Sequence, residues 1–205
     1  MINPNSSESI TDQIRDAIGD GEIVQVVTSS GGPPAIESDA DVVAAIGPML
    51  DTARRREVGA VVVACFSDPG LDELKAESRV PAFGIAESAV QRALQVGHSV
   101  GIISSVEDSL PRHERYWAKL GMQEKIVADI ALGLGVLELD TEEALNRAEQ
   151  AGRELVAAGA DVVVLGCTGM THMQGRLEDS LGVPVVDPCL AAVRDARDSL
   201  SGELV

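Results

Sequence analysis

Short apolar runs rich in valine and isoleucine alternate along this chain with longer segments whose apolar residues recur at helical spacing. Such alternation is typical of βαβ units and predicts an α/β fold with mostly parallel sheets flanked by helices. The predicted strands are 23–28, 59–65, 80–85, 98–104, 125–130, 160–166 and 183–187. The predicted helices are 7–18, 40–57, 70–78, 87–96, 107–120, 141–158, 174–181 and 189–200.

Two of the apolar runs end in a cysteine, Cys65 and Cys167, and each cysteine opens a turn containing glycine. Each turn is followed by a short helix and by a Val-Pro pair that begins another strand. This internal similarity predicts two pseudo-symmetric lobes: 1–88 plus 188–205, which carries Cys65, and 89–187, which carries Cys167. The alternative is coincidence, because glycine and proline are common punctuation around strands.

The two cysteines are candidates for acid/base chemistry. Ligand sites of open α/β sheets lie at the carboxyl ends of strands, so both thiols are expected to face one cleft between the lobes. Inversion of a stereocentre by deprotonation needs a base on one face of the carbon and an acid on the other. Cysteine suits both parts because its ordinary pKa is about 8.5. Nearby backbone N–H groups and a helix dipole are expected to favour the thiolate.

This pattern predicts Cys65 and Cys167 as the catalytic pair of a racemase that needs neither cofactor nor metal. The plainer interpretation is two buried structural thiols, since free cysteine is among the most buried residue types.

The residues around the cysteines are candidates for holding the substrate. Deprotonation leaves negative charge on a neighbouring carbonyl oxygen, which needs hydrogen-bond donors already aimed at it. Near the start of the chain, Asn5 and Ser6 either bind a ligand or cap the helix that begins near Ser7. The candidates for substrate binding are Asn5, Ser6, Phe66, Ser67, Ser104, Thr168 and Gly169.

The third cysteine and two of the histidines carry no predicted role. Cys189 lies at a predicted helix start, where plain packing is expected. His98 and His113 are expected at the surface or at a strand edge.

Composition narrows the function classes. With 33 acidic and 16 basic residues among 205, the formal charge of −17 opposes binding to nucleic acid or to anionic membranes. No apolar stretch approaches the roughly 20 residues of a membrane span, and the first ten residues are polar, unlike a signal peptide. We therefore expect a cytoplasmic protein with a small-molecule substrate and free thiols. Assembly into a homo-oligomer is also expected, because lobes of this size often bury more surface by associating.

The distribution of charge favours an uncharged substrate. The segments expected to line the cleft, 2–11, 28–36, 65–72 and 165–173, contain neither arginine nor lysine. A dicarboxylate such as aspartate or glutamate would require such a cation. A neutral ring with two carbonyl and two N–H groups fits this lining better.

Three strings carry a family resemblance: Ala-Cys-Phe-Ser-Asp-Pro-Gly-Leu at 64–71, Val-Pro-Ala-Phe-Gly-Ile-Ala-Glu at 80–87 and Leu-Gly-Cys-Thr-Gly-Met at 165–170. Together with 2–7, 32–37 and 182–187, they resemble the hydantoin racemase branch of the aspartate/glutamate racemase superfamily. The resemblance covers nearly the whole chain. One departure is that only Met1 and Ile2 precede the Asn-Pro-Asn motif, where family members carry a longer first strand.

The resemblance implies a two-lobed α/β fold, a two-cysteine mechanism without cofactor, and 5-substituted hydantoins or allantoin as substrates. It also implies that Cys65 and Cys167 are the acid/base pair and that the turns after them hold the substrate carbonyls. Pro33, within the matching 32–37 string, joins the expected substrate-binding residues. Aspartate or glutamate racemisation, decarboxylation and cis–trans isomerisation remain alternatives within the superfamily. A non-catalytic binding or redox-sensing protein is the alternative from another class.

Overall fold

The computed structural model describes residues 1–19 and 23–202, and these form two sheets flanked by helices. The strands are β1 (Ile2–Asn3), β2 (Val27–Thr28), β3 (Val61–Val63), β4 (Ala82–Gly84), β5 (Val100–Ser104), β6 (Ile126–Ala131), β7 (Val162–Leu165) and β8 (Val185–Val186). The α-helices are α1 (Glu8–Ile18), α2 (Asp39–Arg54), α3 (Leu71–Glu77), α4 (Ile85–Val96), α5 (Leu110–Leu120), α6 (Glu142–Ala157), α7 (Gln174–Leu181) and α8 (Pro188–Ser201). Every predicted strand and helix overlaps an observed one, and the predicted α/β fold is confirmed.

The two sheets share one topology. Their strand orders are β2-β1-β3-β4 and β6-β5-β7-β8, and all pairs are parallel. The registers also correspond, because Ile2 pairs with Val63 in the first sheet and Ile103 pairs with Leu165 in the second. Each cysteine therefore follows an equivalent strand at an equivalent position.

Strand β1 is short but central, and the sequence analysis did not predict it. Ile2 pairs with Val27 on one side and with Val63 on the other. The backbone N–H of Ala64 also donates to the carbonyl oxygen of Ile2, at 2.8 Å. Two residues, Ile2 and Asn3, thus suffice to form a strand within the sheet.

The two halves of the fold share apolar packing. Val62 and Phe66, from the first sheet and its turn, belong to one buried cluster with Ile102 and Val164 of the second. Helix α8 packs against α4 and against the strands of the first sheet. The boundaries of the two lobes stay a prediction, and 203–205 of that prediction lie outside the described residues. Within the described ranges, no helix has the length and apolar character needed to cross a membrane.

Candidate active site

Cys65 and Cys167 line one cleft at the carboxyl ends of the strands. Cys65 follows β3 and is partly exposed, whereas Cys167 follows β7 and is 8% exposed. The cleft contains about 460 Å³ of empty space, counted out to its open mouth. The other residues that line it are Asn5, Ile36, Ala64, Phe66, Ser67, Ser105, Val106, Ser109, Arg112, His113, Val136, Gly166 and Thr168.

The turn after Cys65 is fixed by the carboxylate of Asp68. This carboxylate accepts hydrogen bonds from the backbone N–H groups of Ala86 and Glu87, at 3.1 and 2.9 Å, and thereby caps helix α4. It also accepts from the hydroxyl of Tyr116 at 2.8 Å. Burial raises the pKa of Asp68 to about 7, against the effect of these donors. The Cys65 turn is thus held to α4 and α5 at once.

Helix α5, which follows the central strand of the second sheet, packs along the Cys65 turn. Arg112 donates from Nε to the hydroxyl oxygen of Ser67 at 2.9 Å, and the rings of His113 and Phe66 pack edge to face at 5.3 Å. The second half of the chain therefore supplies two side chains to the cleft beside Cys65. Further contacts of α5 with the turn and with α3 come from Tyr116, Trp117 and Lys119.

Two predictions were wrong at this helix. The cleft was expected to lack a cation, but Arg112 lines it, with its guanidinium paired to Asp39 at 3.2 Å. His113 was expected at the surface, but it is 2% exposed and also lines the cleft. Both were missed because α5 does not begin at a cysteine turn. The available signal was the i, i+4 spacing of His113 and Trp117, which puts the imidazole on the buried face of the helix.

Asn5 presents a hydrogen-bond donor to the cleft. Its Oδ1 accepts from Asn3 Nδ2 and from the backbone N–H of Ser7, both at 2.9 Å. These two contacts fix the orientation of the amide, because only its oxygen can accept. Among the described residues Nδ2 of Asn5 has no partner, and it is available to a ligand.

The other candidate residues fall into two groups. Phe66, Ser67 and Thr168 line the cleft together with Asn5 and the two cysteines. The remaining four lie near the cleft without lining it: Ser6, Pro33, Ser104 and Gly169. The backbone N–H of Ser6 donates to the carbonyl oxygen of Pro33 at 2.8 Å, and Ser104 is fully buried beneath the cleft. The substrate-binding roles of all eight stay predictions.

The electrostatic state of the cysteines differs from the expectation. Burial raises the pKa of Cys65 to about 12, although the backbone N–H of Ser67 and the charge of Arg112 act in the opposite direction. Burial likewise raises the pKa of Cys167, against the backbone N–H of Gly169. Desolvation in the cleft therefore outweighs the nearby donors. The raised pKa of each thiol favours its protonated form near neutral pH.

Alkylation of Cys65 by iodoacetamide is expected to be slow at pH 7 and to accelerate about tenfold per pH unit up to pH 10, without a plateau. Only the thiolate reacts, and its fraction rises tenfold per unit while the pH stays below the pKa. Peptide mass spectrometry at a series of pH values measures the rate, with free cysteine as the reference that does reach a plateau. A plateau below pH 9 for Cys65 contradicts the raised pKa.

Comparisons with known proteins match nearly the whole chain. A family model described as Asp/Glu/Hydantoin racemase matches residues 1–196. The chain is 36% identical to a hydantoin racemase from Paenarthrobacter aurescens, over 96% of this chain and 88% of that protein.

Two solved structures of allantoin racemases have a similar fold. The enzyme from Klebsiella pneumoniae superposes with a TM-score of 0.88 at 28% identity, covering 100% of this chain and 87% of its own. The enzyme from Pseudomonas fluorescens gives a TM-score of 0.92 at 26% identity, with coverage of 99% and 90%. These structures support the two-lobed arrangement expected from the sequence.

Proposed function

The chain belongs to the Asp/Glu/Hydantoin racemase family, and on that premise we propose that it racemises 5-substituted hydantoins or allantoin without a cofactor, with Cys65 and Cys167 as the acid/base pair. The observation that carries the proposal is that both cysteines, at equivalent strand ends of the two sheets, line one cleft. The membership makes the protein an isomerase. The substrate and the mechanism are our proposal.

The proposed reaction removes one proton from C5 and adds another proton to the opposite face of the same carbon. The thiolate of one cysteine removes the proton at C5, and the electron pair of the C–H bond passes to the adjacent carbonyl as an enolate. The thiol of the other cysteine then donates its proton to the opposite face of C5. The product is the mirror image of the substrate, and the two sulfurs have exchanged protonation states. The reverse reaction starts from that exchanged state.

The cleft offers donors for the enolate oxygen. Asn5 Nδ2 has no protein partner among the described residues, and its orientation is fixed. Ser67 accepts from Arg112, so its own hydroxyl hydrogen is free to donate to a ligand. Preorganised donors of this kind stabilise negative charge as it develops.

Formation of the thiolate requires a proton to leave a thiol that is desolvated in the cleft. Because burial raises the pKa of both cysteines, the form with one thiolate is a minor species of the free protein at neutral pH. Arg112 lowers the pKa of Cys65 by its charge and so favours ionisation on that side. The proposal therefore predicts that activity increases with pH through the neutral range.

Arg112 also supports a second candidate function, racemisation of aspartate or glutamate. A guanidinium in the cleft is the group expected to bind a substrate carboxylate. We favour the hydantoin because Arg112 already donates to Ser67 and pairs with Asp39, which leaves fewer donors and less net charge for a ligand.

Optical rotation distinguishes these functions. Single enantiomers of allantoin, alkyl and aryl hydantoins, aspartate and glutamate are incubated with the protein. Chiral chromatography checks that the summed amount of the two enantiomers stays constant while the rotation falls. We expect hydantoins or allantoin to lose rotation well above the rate without protein, and the amino acids to keep theirs. Racemisation of aspartate or glutamate alone supports the second candidate. A malonate and maleate are incubated in parallel, and release of CO₂ from the malonate or conversion of maleate contradicts both.

A further inference from the structure

His113 is a buried ionisable group in the cleft that the two-cysteine reaction does not use. It is 2% exposed, it lines the cleft, and its ring packs against Phe66, the residue after Cys65. Its Nδ1 lies 2.8 Å from Oδ2 of Asp129 and 3.3 Å from the hydroxyl oxygen of Ser104. Among the described residues, Nε2 has no partner.

These contacts determine which nitrogen carries the proton. The hydroxyl of Ser104 donates to Oδ1 of Asp129 at 2.5 Å, so its hydrogen is not available to His113. Both neighbours of Nδ1 are therefore acceptors, and Nδ1 must carry a hydrogen. In the neutral ring, Nε2 is then a bare acceptor. It faces away from Asp129. Although Nε2 has no partner among the described residues, it is not fully shielded from solvent, and the side chain lines the cleft.

The first half of the chain shows that a structural role at this place does not need histidine. Thr11 of α1 occupies the position that corresponds to His113, since Asn3 at the end of β1 corresponds to Ser104 at the end of β5. Thr11 hydrogen-bonds to Asn3 at 3.0 Å and to Thr28 at 2.7 Å. An uncharged cluster therefore joins helix to sheet in that half. The imidazole in the other half adds an acceptor that Thr11 does not bring to the cleft.

We propose that His113 is a substrate-binding residue that determines specificity, and that its Nε2 accepts a hydrogen bond from one N–H of the hydantoin ring. This assignment rests on the proposed function. Most groups identified around the cleft, including Asn5 Nδ2, the Ser67 hydroxyl and Arg112, are donors that suit the ring carbonyls. A ring N–H needs an acceptor, and Nε2 is one with a fixed tautomer. Asp129 and Ser104 are positioning residues that act through His113.

N-methylated substrates test the assignment. The hydantoin that is racemised fastest is compared with its N1-methyl and N3-methyl derivatives, which each lack one ring N–H. For the N–H bound by His113, we expect methylation to lower kcat/KM of the wild-type protein by at least about 30-fold, because a site built to bind an N–H rejects an analogue without it. The ratio of kcat/KM for the parent hydantoin to kcat/KM for this methyl derivative is expected to be at least tenfold smaller in His113→Asn than in the wild-type protein. Asparagine keeps an N–H for Asp129 but lacks an atom at the place of Nε2.

Thr11→Val is the matched control. It alters the equivalent buried cluster of the other half without removing an acceptor from the cleft, so the ratios for both methyl derivatives should stay within about twofold of wild type. Racemisation by His113→Asn with both ratios unchanged overturns the assignment and leaves the proposed function intact. A wild-type protein that racemises no hydantoin refutes the proposed function, and this assignment with it.

Nitrogen NMR of the wild-type protein gives a test that does not depend on a variant. The chain has 3 histidines, so signals from ¹⁵N-histidine labelling are few. We expect one ring with a protonated Nδ1 and a bare Nε2, whose Nε2 resonance moves when a hydantoin is added and moves less with the discriminating methyl derivative. A protonated Nε2 in the neutral ring, or a resonance insensitive to the hydantoin, also overturns the assignment.

Discussion

Replacing either Cys65 or Cys167 with serine is expected to lower the racemisation rate by roughly 10³-fold or more. Serine has the shape of cysteine, but its hydroxyl is far too weak an acid to exchange a proton with C5. Each variant therefore lacks one member of the proposed pair. Chiral chromatography of the substrate pool measures the loss.

Exchange of the C5 hydrogen with deuterated water separates the two faces of the substrate. In Cys65→Ser, Cys167 still removes the proton from the face turned towards it, and the open cleft allows its sulfur to exchange that proton with solvent. Deuterium then returns to the same face without inversion. We expect exchange of one enantiomer only, and of the opposite enantiomer in Cys167→Ser.

Cys189→Ser is the control for a change from thiol to hydroxyl outside the cleft. Cys189 is fully buried in the apolar cluster shared by the two halves, and it does not line the cleft. This variant should racemise both enantiomers and exchange both. Exchange of both enantiomers by Cys65→Ser or by Cys167→Ser contradicts the arrangement of two sulfurs on opposite faces.

The fold and the position of the two cysteines in one cleft were predictable because the signals are local. A valine-rich run that ends in cysteine identifies a buried strand and the position of a side chain at its end, and the repetition of that run indicates two equivalent halves. Strand β1 escaped prediction for the opposite reason. Two residues carry no periodicity, and Ile2–Asn3 becomes a strand only because β2 and β3 pair with it on both sides.

The sequence could not show which side chains reach the cleft from the other half. Arg112 and His113 lie on a helix about 45 residues after Ser67, and their place in the cleft depends on how α5 packs along the Cys65 turn. Periodicity predicts that α5 has a buried face, but it does not identify the neighbour of that face. The pKa of Cys65 was missed for a related reason, because desolvation depends on the depth of the cleft rather than on the turn alone.

The two halves cap equivalent helices with carboxylates from different places. Asp187, at the end of β8, caps α8 by accepting from the backbone N–H of Leu190 at 2.7 Å. The position that corresponds to Asp187 in the first half is Gly84, and there the carboxylate comes from Asp68 in the cysteine turn. A Cβ on Gly84 would lie 2.2 Å from the carboxyl carbon of Asp68. Glycine is thus required at the strand end so that the Cys65 turn can reach α4.

Gly84→Ala is therefore expected to lower the free energy of unfolding by about 2–4 kcal/mol and to abolish most racemase activity. The added methyl group must displace the carboxylate of Asp68, which is held by Ala86, Glu87 and Tyr116. Displacement leaves these donors unsatisfied and releases the turn that positions Cys65. Urea unfolding and the rate of optical rotation loss measure the two effects.

Gly175→Ala is the matched control, because Gly175 lies inside helix α7, is not followed by proline, and a Cβ there meets nothing within 4 Å. Alanine is the better helix former, so this variant should be as stable as wild type or more stable by up to about 1 kcal/mol. Its activity should not change, since Gly175 does not line the cleft. A Gly84→Ala protein with wild-type stability and activity would show that the Asp68 carboxylate does not occupy the strand end. The Cys65 turn would then be held by some other contact.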